Sequence, residues 1–447
     1  MAAATYLRGF DDTERRDDCS VPFTPKHVYS LKNNTLSGVT LGQWASILRR
    51  HGRSIQWRVY WFRVLFVTVM AFFNSVLAVI EWIVYGRRVR EMQHWLTSHA
   101  AELRPVFILG HPRTGTTLLH NLLALDEQRF TYCSIFTAGF PSSFLVFERL
   151  GKWLLAGLLD ATRPMDNMPL EFDLPGEDEL ATSLLADGVS PYTGTLYFMS
   201  IEREFRSLFA LREADPTDAA QWRAAFLLFI SKLLVRDEIM RNVDEGSHAR
   251  RAENLRVLLV KSPCHTARVP VLRSVFPNAQ FCYVHRDPYE VYASAEHMAD
   301  TTYWFTTLQV LREAEVREFI FAQFELLYNE YAASQAEKCH AVEIAYAQLA
   351  RDPEGVVVDI YARCGWELSV NMRQALKKAL RGKTFAMYRR NTHRPLPESL
   401  RADIARRWRP YFDRFGYIAN SHVRHASSAT RRHPLERSSC DAGRTSS

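Results

Sequence analysis

The segment that most constrains this chain is residues 106–125, where a short apolar run, Val-Phe-Ile-Leu, ends in Gly110-His-Pro-Arg-Thr-Gly115-Thr-Thr117 and continues into Leu-Leu-His-Asn-Leu-Leu. Its order is buried strand, glycine-containing turn, helix. The glycines permit a tight turn that aims backbone N–H groups at an anion, and the helix start adds a favourable field. Such a turn belongs at the carboxyl edge of a parallel sheet. Nucleotide triphosphate loops place a lysine directly after the second glycine. Thr116 stands there instead, and the cation is Arg113, inside the loop. That change suits one phosphate with a short anionic group beyond it better than a magnesium-bound triphosphate.

Two further apolar runs, 256–260 and 279–284, precede Pro-containing turns and helices, and 342–345 is a candidate fourth strand. Strands alternating with helices predict an α/β fold: three layers of P-loop type, with a central parallel sheet, helical insertions and an N-terminal apolar helix. The second strand leads into Arg286-Asp287-Pro288-Tyr289-Glu290. Asp287 as N-cap, Pro288 at N1 and Glu290 at N3 explain three of these residues as a helix start. They do not explain Arg286 or Ser294, which together offer a guanidinium and a hydroxyl to a second phosphate.

Residues 64–86 read VLFVTVMAFFNSVLAVIEWIVYG, with arginines on both sides. The run is long enough to span a bilayer and has aromatics near both ends. Glu81 within it favours a helix buried on protein or lying in the membrane interface. Membrane association is expected; its geometry stays open, and arginines at both ends give no orientation. Residues 142–161 form a second apolar helical stretch, 178–250 are mostly helical with a break at 188–194, and 398–417 are amphipathic. The expected organisation is a leader and helix over 1–60, an apolar helix and linker over 61–104, a catalytic domain over 105–419, and a disordered basic tail over 420–447. Residues 1–20 have no apolar centre, so no cleavable signal peptide is expected. Seven widely spaced cysteines without a C-x-x-C pair give no disulfide framework or zinc pattern. The net charge of +7 fits an anionic ligand or membrane surface, and no aromatic-basic repeat supports nucleic acid.

Together, HPRTGTTLLHNLL (111–123), RPMDNM (163–168), DLPGEDEL (173–180), LLVKSPCHTARV (258–269) and FPNAQFCYVHRDPYEVYAS (276–294) resemble the sulfotransferases that use 3'-phosphoadenosine 5'-phosphosulfate (PAPS), in particular the sulfotransferase-3 group. The resemblance covers about residues 60–350. It implies that Arg113, Thr114, Gly115, Thr116 and Thr117 hold the 5'-phosphosulfate, that Arg113 offsets charge on the leaving phosphate, and that Arg286 and Ser294 hold the 3'-phosphate. It places Lys261 against the sulfuryl group, and it implies no metal. The general base is expected to be Glu177 or Glu179 in the acidic motif, with His265 the other candidate. Carboxylates in a first helical turn and a histidine at a helix start also have plain structural explanations. Asp166 and Asn167 either shape the same pocket or form a turn. The basic segments 381–383 and 388–394 either close over the donor or are solvated. A P-loop kinase and a non-catalytic membrane protein on the same fold are the competing readings. The acceptor is expected to be a small molecule, a lipid or a glycan, with a Golgi or other endomembrane location if the source is eukaryotic.

Overall fold

In a computed structural model, residues 23–242, 254–336, 340–382 and 391–419 are described. The expected tail at 420–447, Lys383 and 388–390 lie outside them.

Five short parallel strands form the central sheet: β1 Val106–Leu109, β2 Phe130–Tyr132, β3 Val257–Lys261, β4 Gln280–His285 and β5 Val342–Ala345, in the order β2-β3-β1-β4-β5. Apolar side chains on both faces explain why all four residues of β1 are buried. Phe107 packs with Phe276 and Phe281 on one face; Val106 and Ile108 join Leu119, Leu122 and Leu259 on the other. Four strands coincide with the runs read from sequence to within one residue. β2 was not foreseen: three residues, Phe-Thr-Tyr, carry no period that can be told from a turn.

Because every strand runs the same way, the chain leaves β1, β3, β4 and β5 on one edge of the sheet. This edge gathers the turn after β1, Ser262 after β3, Arg286 after β4 and Tyr346 after β5. Crossing the order at β1, between β3 and β4, opens the crevice in which such sheets bind ligands.

The apolar stretch lies within one long helix, Trp57–His99. Its inward stripe carries Tyr60, Val64, Val67 and Ala71, and also three polar side chains. Arg63 donates to the carbonyls of Trp304 (2.7 Å), His27 (3.0 Å) and Thr307. Asn74 donates to the Ser37 carbonyl at 2.6 Å. Glu81 forms a buried ion pair with Lys232 and accepts the Leu145 N–H at 2.7 Å. Within the expected leader segment, Thr35–Gly38 is a short helix capped by Asn34 and packed against the long helix.

Candidate active site

The β1 turn is held by backbone conformations that few residue types accept. Gly115 has φ 103°, and a Cβ there would sit 2.4 Å from the Tyr346 ring. Arg113 has φ 76°, an unusual value for a residue with a side chain, of the kind that marks a functional turn. The Gly110 N–H donates to Thr266 Oγ1 at 2.8 Å, tying this turn to the one after β3. Thr116–Leu123 then begins the helix, with Gly115 as its N-cap and no side chain covering the first N–H groups.

Arg113 is clamped on three sides. Its Nε donates to Ser294 Oγ at 2.9 Å, Nη1 to Asp166 Oδ2 at 2.9 Å and Nη2 to the Met165 carbonyl at 3.3 Å. Burial pushes the Asp166 carboxyl up, but Arg163 and Arg113 outweigh it and hold the group below its ordinary range. Arg286 lies over the Tyr346 ring, 4.4 Å from its centroid, and donates from Nη1 to the Arg113 carbonyl at 2.9 Å. Its Nε meets Glu290 Oε2 at 2.9 Å, and its own N–H meets the Tyr411 hydroxyl. Asp287 caps the following helix through the Glu290 N–H, as expected.

Two cavities meet at the turn. The smaller, about 100 Å³, is lined by Arg113, Gly115, Thr116, Thr117, Asn121, Asp166, Arg286 and Tyr346, together with the apolar Leu118, Met168, Pro169 and Leu174. The larger, about 300 Å³, shares Arg113, Thr116 and Thr117 and adds Lys261, Glu177 and Tyr192. The remainder of its wall is mainly apolar, including Ile135, Phe140, Leu159, Phe172, Leu196 and Met298.

Lys261 ends β3 and donates to Glu177 Oε1 at 2.7 Å and Thr117 Oγ1 at 3.4 Å. Glu177 is the N-cap of Asp178–Leu185, yet its side chain makes no capping bond. Its second oxygen accepts from the Tyr192 hydroxyl, which also lies 3.3 Å from Ser262 Oγ. Burial alone would raise the Glu177 carboxyl. The Lys261 ammonium and the two hydrogen bonds overcome it, so the group is held below the ordinary glutamate range. Burial and the neighbouring Glu177 push the Tyr192 phenol well above its ordinary value.

The other two base candidates sit elsewhere. Glu179 is fully buried, where it binds Arg268 through both oxygens and accepts from Ser190 and Trp222. His265 is fully buried with its Nε2 2.7 Å from Asp178 Oδ2. Neither residue lines either of these two cavities. Successive residues of a helix start face different ways, so Glu177 faces Lys261 while Glu179 turns to Arg268; His265, in the short helix after β3, turns to Asp178. Ser294 likewise lines neither cavity; its hydroxyl holds Arg113 instead. Asn167 reaches Asn391 at 3.2 Å, at the outer side of the Arg113 clamp.

The residues 105–370 match the model of the sulfotransferase family. The chain belongs to this family. This sulfotransferase is 29% identical over 383 residues to the omega-hydroxy-beta-dihydromenaquinone-9 sulfotransferase Stf3 of Mycobacterium bovis (strain ATCC BAA-935 / AF2122/97), an alignment covering 85% of this chain and 90% of the relative. The Mycobacterium tuberculosis protein of that name matches equally. Among solved structures, sulfotransferase STF1 from M. tuberculosis H37Rv superposes with a TM-score of 0.54 at 18% identity, over 82% of this chain and 90% of that one. STF9 from Mycobacterium avium gives 0.53 at 18% identity, over 84% and 97%. These likenesses establish the P-loop-like sulfotransferase fold.

Sequence reasoning missed Tyr192, Tyr303, Tyr346 and the wall built by Asn33, Asn34, Thr35 and Ser37, all of which line a cavity. Tyr192 falls in the interruption at 188–194, a break in the helical pattern that could have drawn attention to it. Tyr346 directly follows the fourth strand read from sequence, the position at which ligand contacts are expected.

Proposed function

We propose that this sulfotransferase moves a sulfuryl group from PAPS to a hydroxyl on a lipophilic acceptor at a membrane. The observation that carries the reading is the meeting of two cavities at Arg113–Thr117: a smaller one that holds the Arg113 and Arg286 guanidiniums and the threonine hydroxyls, and a larger, mainly apolar one with the Lys261–Glu177 pair on its wall. The small cavity suits a bisphosphorylated nucleotide: it combines a helix start, the Thr116 and Thr117 hydroxyls, the Arg286 guanidinium and the aromatic face of Tyr346. When bound, PAPS supplies the sulfuryl group and a phosphate leaving group.

The chain's own residues supply position and charge. Arg113, immobilised by Ser294 and Asp166, offsets charge on the leaving phosphate without having to reorganise. Lys261 donates to both Glu177 and Thr117. Turning it towards an anionic group weakens its hold on Glu177, whose basicity then rises. Glu177 takes the acceptor hydroxyl's proton as that oxygen bonds to sulfur, and the Tyr192 hydroxyl keeps the carboxylate aimed. Ser294 supports the donor site through Arg113. Glu179 and His265 hold the walls in place.

The acceptor class rests on the apolar lining of the larger cavity. It agrees with the substrate in the name of the mycobacterial relative, an omega-hydroxylated dihydromenaquinone. An alcohol at the end of an isoprenoid or comparable apolar chain is the class proposed here. In a labelled-PAPS screen of polyprenoid alcohols, sterols, glycans and soluble peptides, sulfation of the first group supports the reading. Sulfation of soluble peptides alone would overturn it.

A further inference from the structure

The outward face of the long helix is apolar along most of its middle. Trp61, Leu65, Phe72, Val76, Ile80 and Ile83 are all exposed, at 52% to 68% of their surface for Trp61, Leu65, Phe72 and Ile83. Between Arg58 and Arg87 this face carries no charged side chain; Arg63 and Glu81 both point inward. The run from 61 to 84 is roughly 35 Å long at ~1.5 Å per residue. Exposed apolar patches of this extent mark a binding surface.

We propose that this face lies flat on one leaflet of a bilayer with anionic headgroups, and that the larger cavity receives its acceptor from that leaflet. The proposal rests on the lipophilic-acceptor reading above for its second half only. Three observations choose lipid as the occupant. Tryptophans stand at both ends of the face, Trp57 and Trp61 at one and Trp82 at the other, each about half exposed or more. Exposed arginines lie beyond both ends: Arg49, Arg50, Arg53 and Arg58 before it, Arg87 and Arg90 after it. That arrangement complements anionic headgroups on either side of an apolar strip. Finally, the inward side of the same helix is tied to the cavity wall. Asn74, on the inward side of the same helix, is bonded to the Ser37 carbonyl, and Ser37 lines the cavity. Leu158 and Leu159, also on the wall, follow closely on the exposed Trp153 and Leu154.

A lying helix is favoured over a spanning one by the inward stripe. Arg63, Asn74 and Glu81 have their partners on the catalytic body: the Trp304, Thr307 and His27 carbonyls, Ser37, and Lys232. Crossing the bilayer would strip those partners away and leave an arginine and a carboxylate in hydrocarbon, the most unfavourable environment for either.

The test uses the full chain and vesicles of phosphatidylcholine with or without phosphatidylglycerol. Wild type is expected to float with the anionic vesicles. The variant Phe72→Gln, Val76→Gln, Ile80→Gln, Ile83→Gln is expected to float at least tenfold less. All four substituted side chains face solvent, and stabilisation by 3'-phosphoadenosine 5'-phosphate should be kept by the variant, which shows that it folds. Nitroxide labels at Leu65→Cys, Val76→Cys and Ile83→Cys, which fall on one stripe of the helix, should report similar, shallow depths. Three results would overturn the proposal: no flotation by a wild type that still binds the nucleotide, a label at 76 far deeper than those at 65 and 83, or a soluble dimer that the four substitutions dissociate. Flotation without nucleotide binding would leave the docking surface standing and strike the donor assignment instead.

Discussion

At the residue scale, the informative contrast is between Glu177 and Glu179, two carboxylates two positions apart in one acidic motif. Glu177 meets Lys261 and Tyr192 on a cavity wall; Glu179 meets Arg268 where no solvent reaches. Glu177→Gln keeps the shape and removes the base, so kcat should fall by about 10²- to 10⁴-fold while nucleotide binding changes little. Activity and a nucleotide thermal-shift titration on the same preparation check this. Glu179→Gln should do the reverse. It leaves the Arg268 guanidinium buried and short of charge, at a cost of about 3–5 kcal/mol of stability, read by urea denaturation. The Glu177 carboxyl also carries a pH signature. Its folded value lies below the ordinary glutamate value, near ~4.3 in an unfolded chain. The unfolded state therefore binds the proton first as the pH falls. The stabilisation is complete above that unfolded value and is lost as the pH drops through the folded one. Denaturation curves of wild type and Glu177→Gln should differ most near neutrality and converge in strong acid.

At the element scale, the β1 turn has the strand–turn–helix form that its residues announce, and the reason is local. Gly115 sits at φ 103° against the Tyr346 ring, and only a residue without a Cβ fits there. Gly115→Ala must strain the backbone and push Tyr346 out of the small cavity. Strain of this kind costs about 1–3 kcal/mol. Thermal stabilisation by 3'-phosphoadenosine 5'-phosphate should be lost, while far-ultraviolet circular dichroism stays as in wild type. The same locality decides what could be read from the sequence. The turn, Arg286 with its N-cap, and the four longer strands are each set by adjacent residues, and pattern alone finds them. β2 has too few residues to show a period. Tyr192 and Tyr346 had only indirect local signals, a break in a helical pattern and a place after a strand, while Asn33, Asn34, Thr35 and Ser37 reach the cavity through contacts with segments distant in sequence, which no local pattern encodes. The roles of Glu179 and His265 were illegible for the same cause. A motif names several polar residues, and only packing against Arg268 or Asp178 decides which of them turns inward.

At the scale of the whole molecule, the long apolar helix is built into the catalytic body, although its composition reads as an independent segment. The Lys232–Glu81 pair shows this best. Both side chains are buried, and Lys232 comes from the helix Pro216–Met240, which packs behind the β-sheet core. Lys232 also reaches the Pro141 carbonyl, and Glu81 the Leu145 N–H, so the pair joins three segments. Removing one partner leaves the other uncompensated: Lys232→Met should cost about 3–5 kcal/mol. Replacing both charges by apolar groups removes the desolvation cost as well as the attraction, and such replacements are often neutral or better. Glu81→Leu combined with Lys232→Met should therefore recover most of the loss. If the helix were instead a separate anchor, tethered by its end alone, Lys232→Met would leave the denaturation midpoint of the catalytic core unchanged and the double variant would show no recovery. Urea denaturation of the three proteins, wild type, Lys232→Met and the double variant, followed by far-ultraviolet circular dichroism and by nucleotide binding, separates the two outcomes. Recovery in the double variant would mean that the surface offered to lipid and the site that handles the donor unfold as one unit.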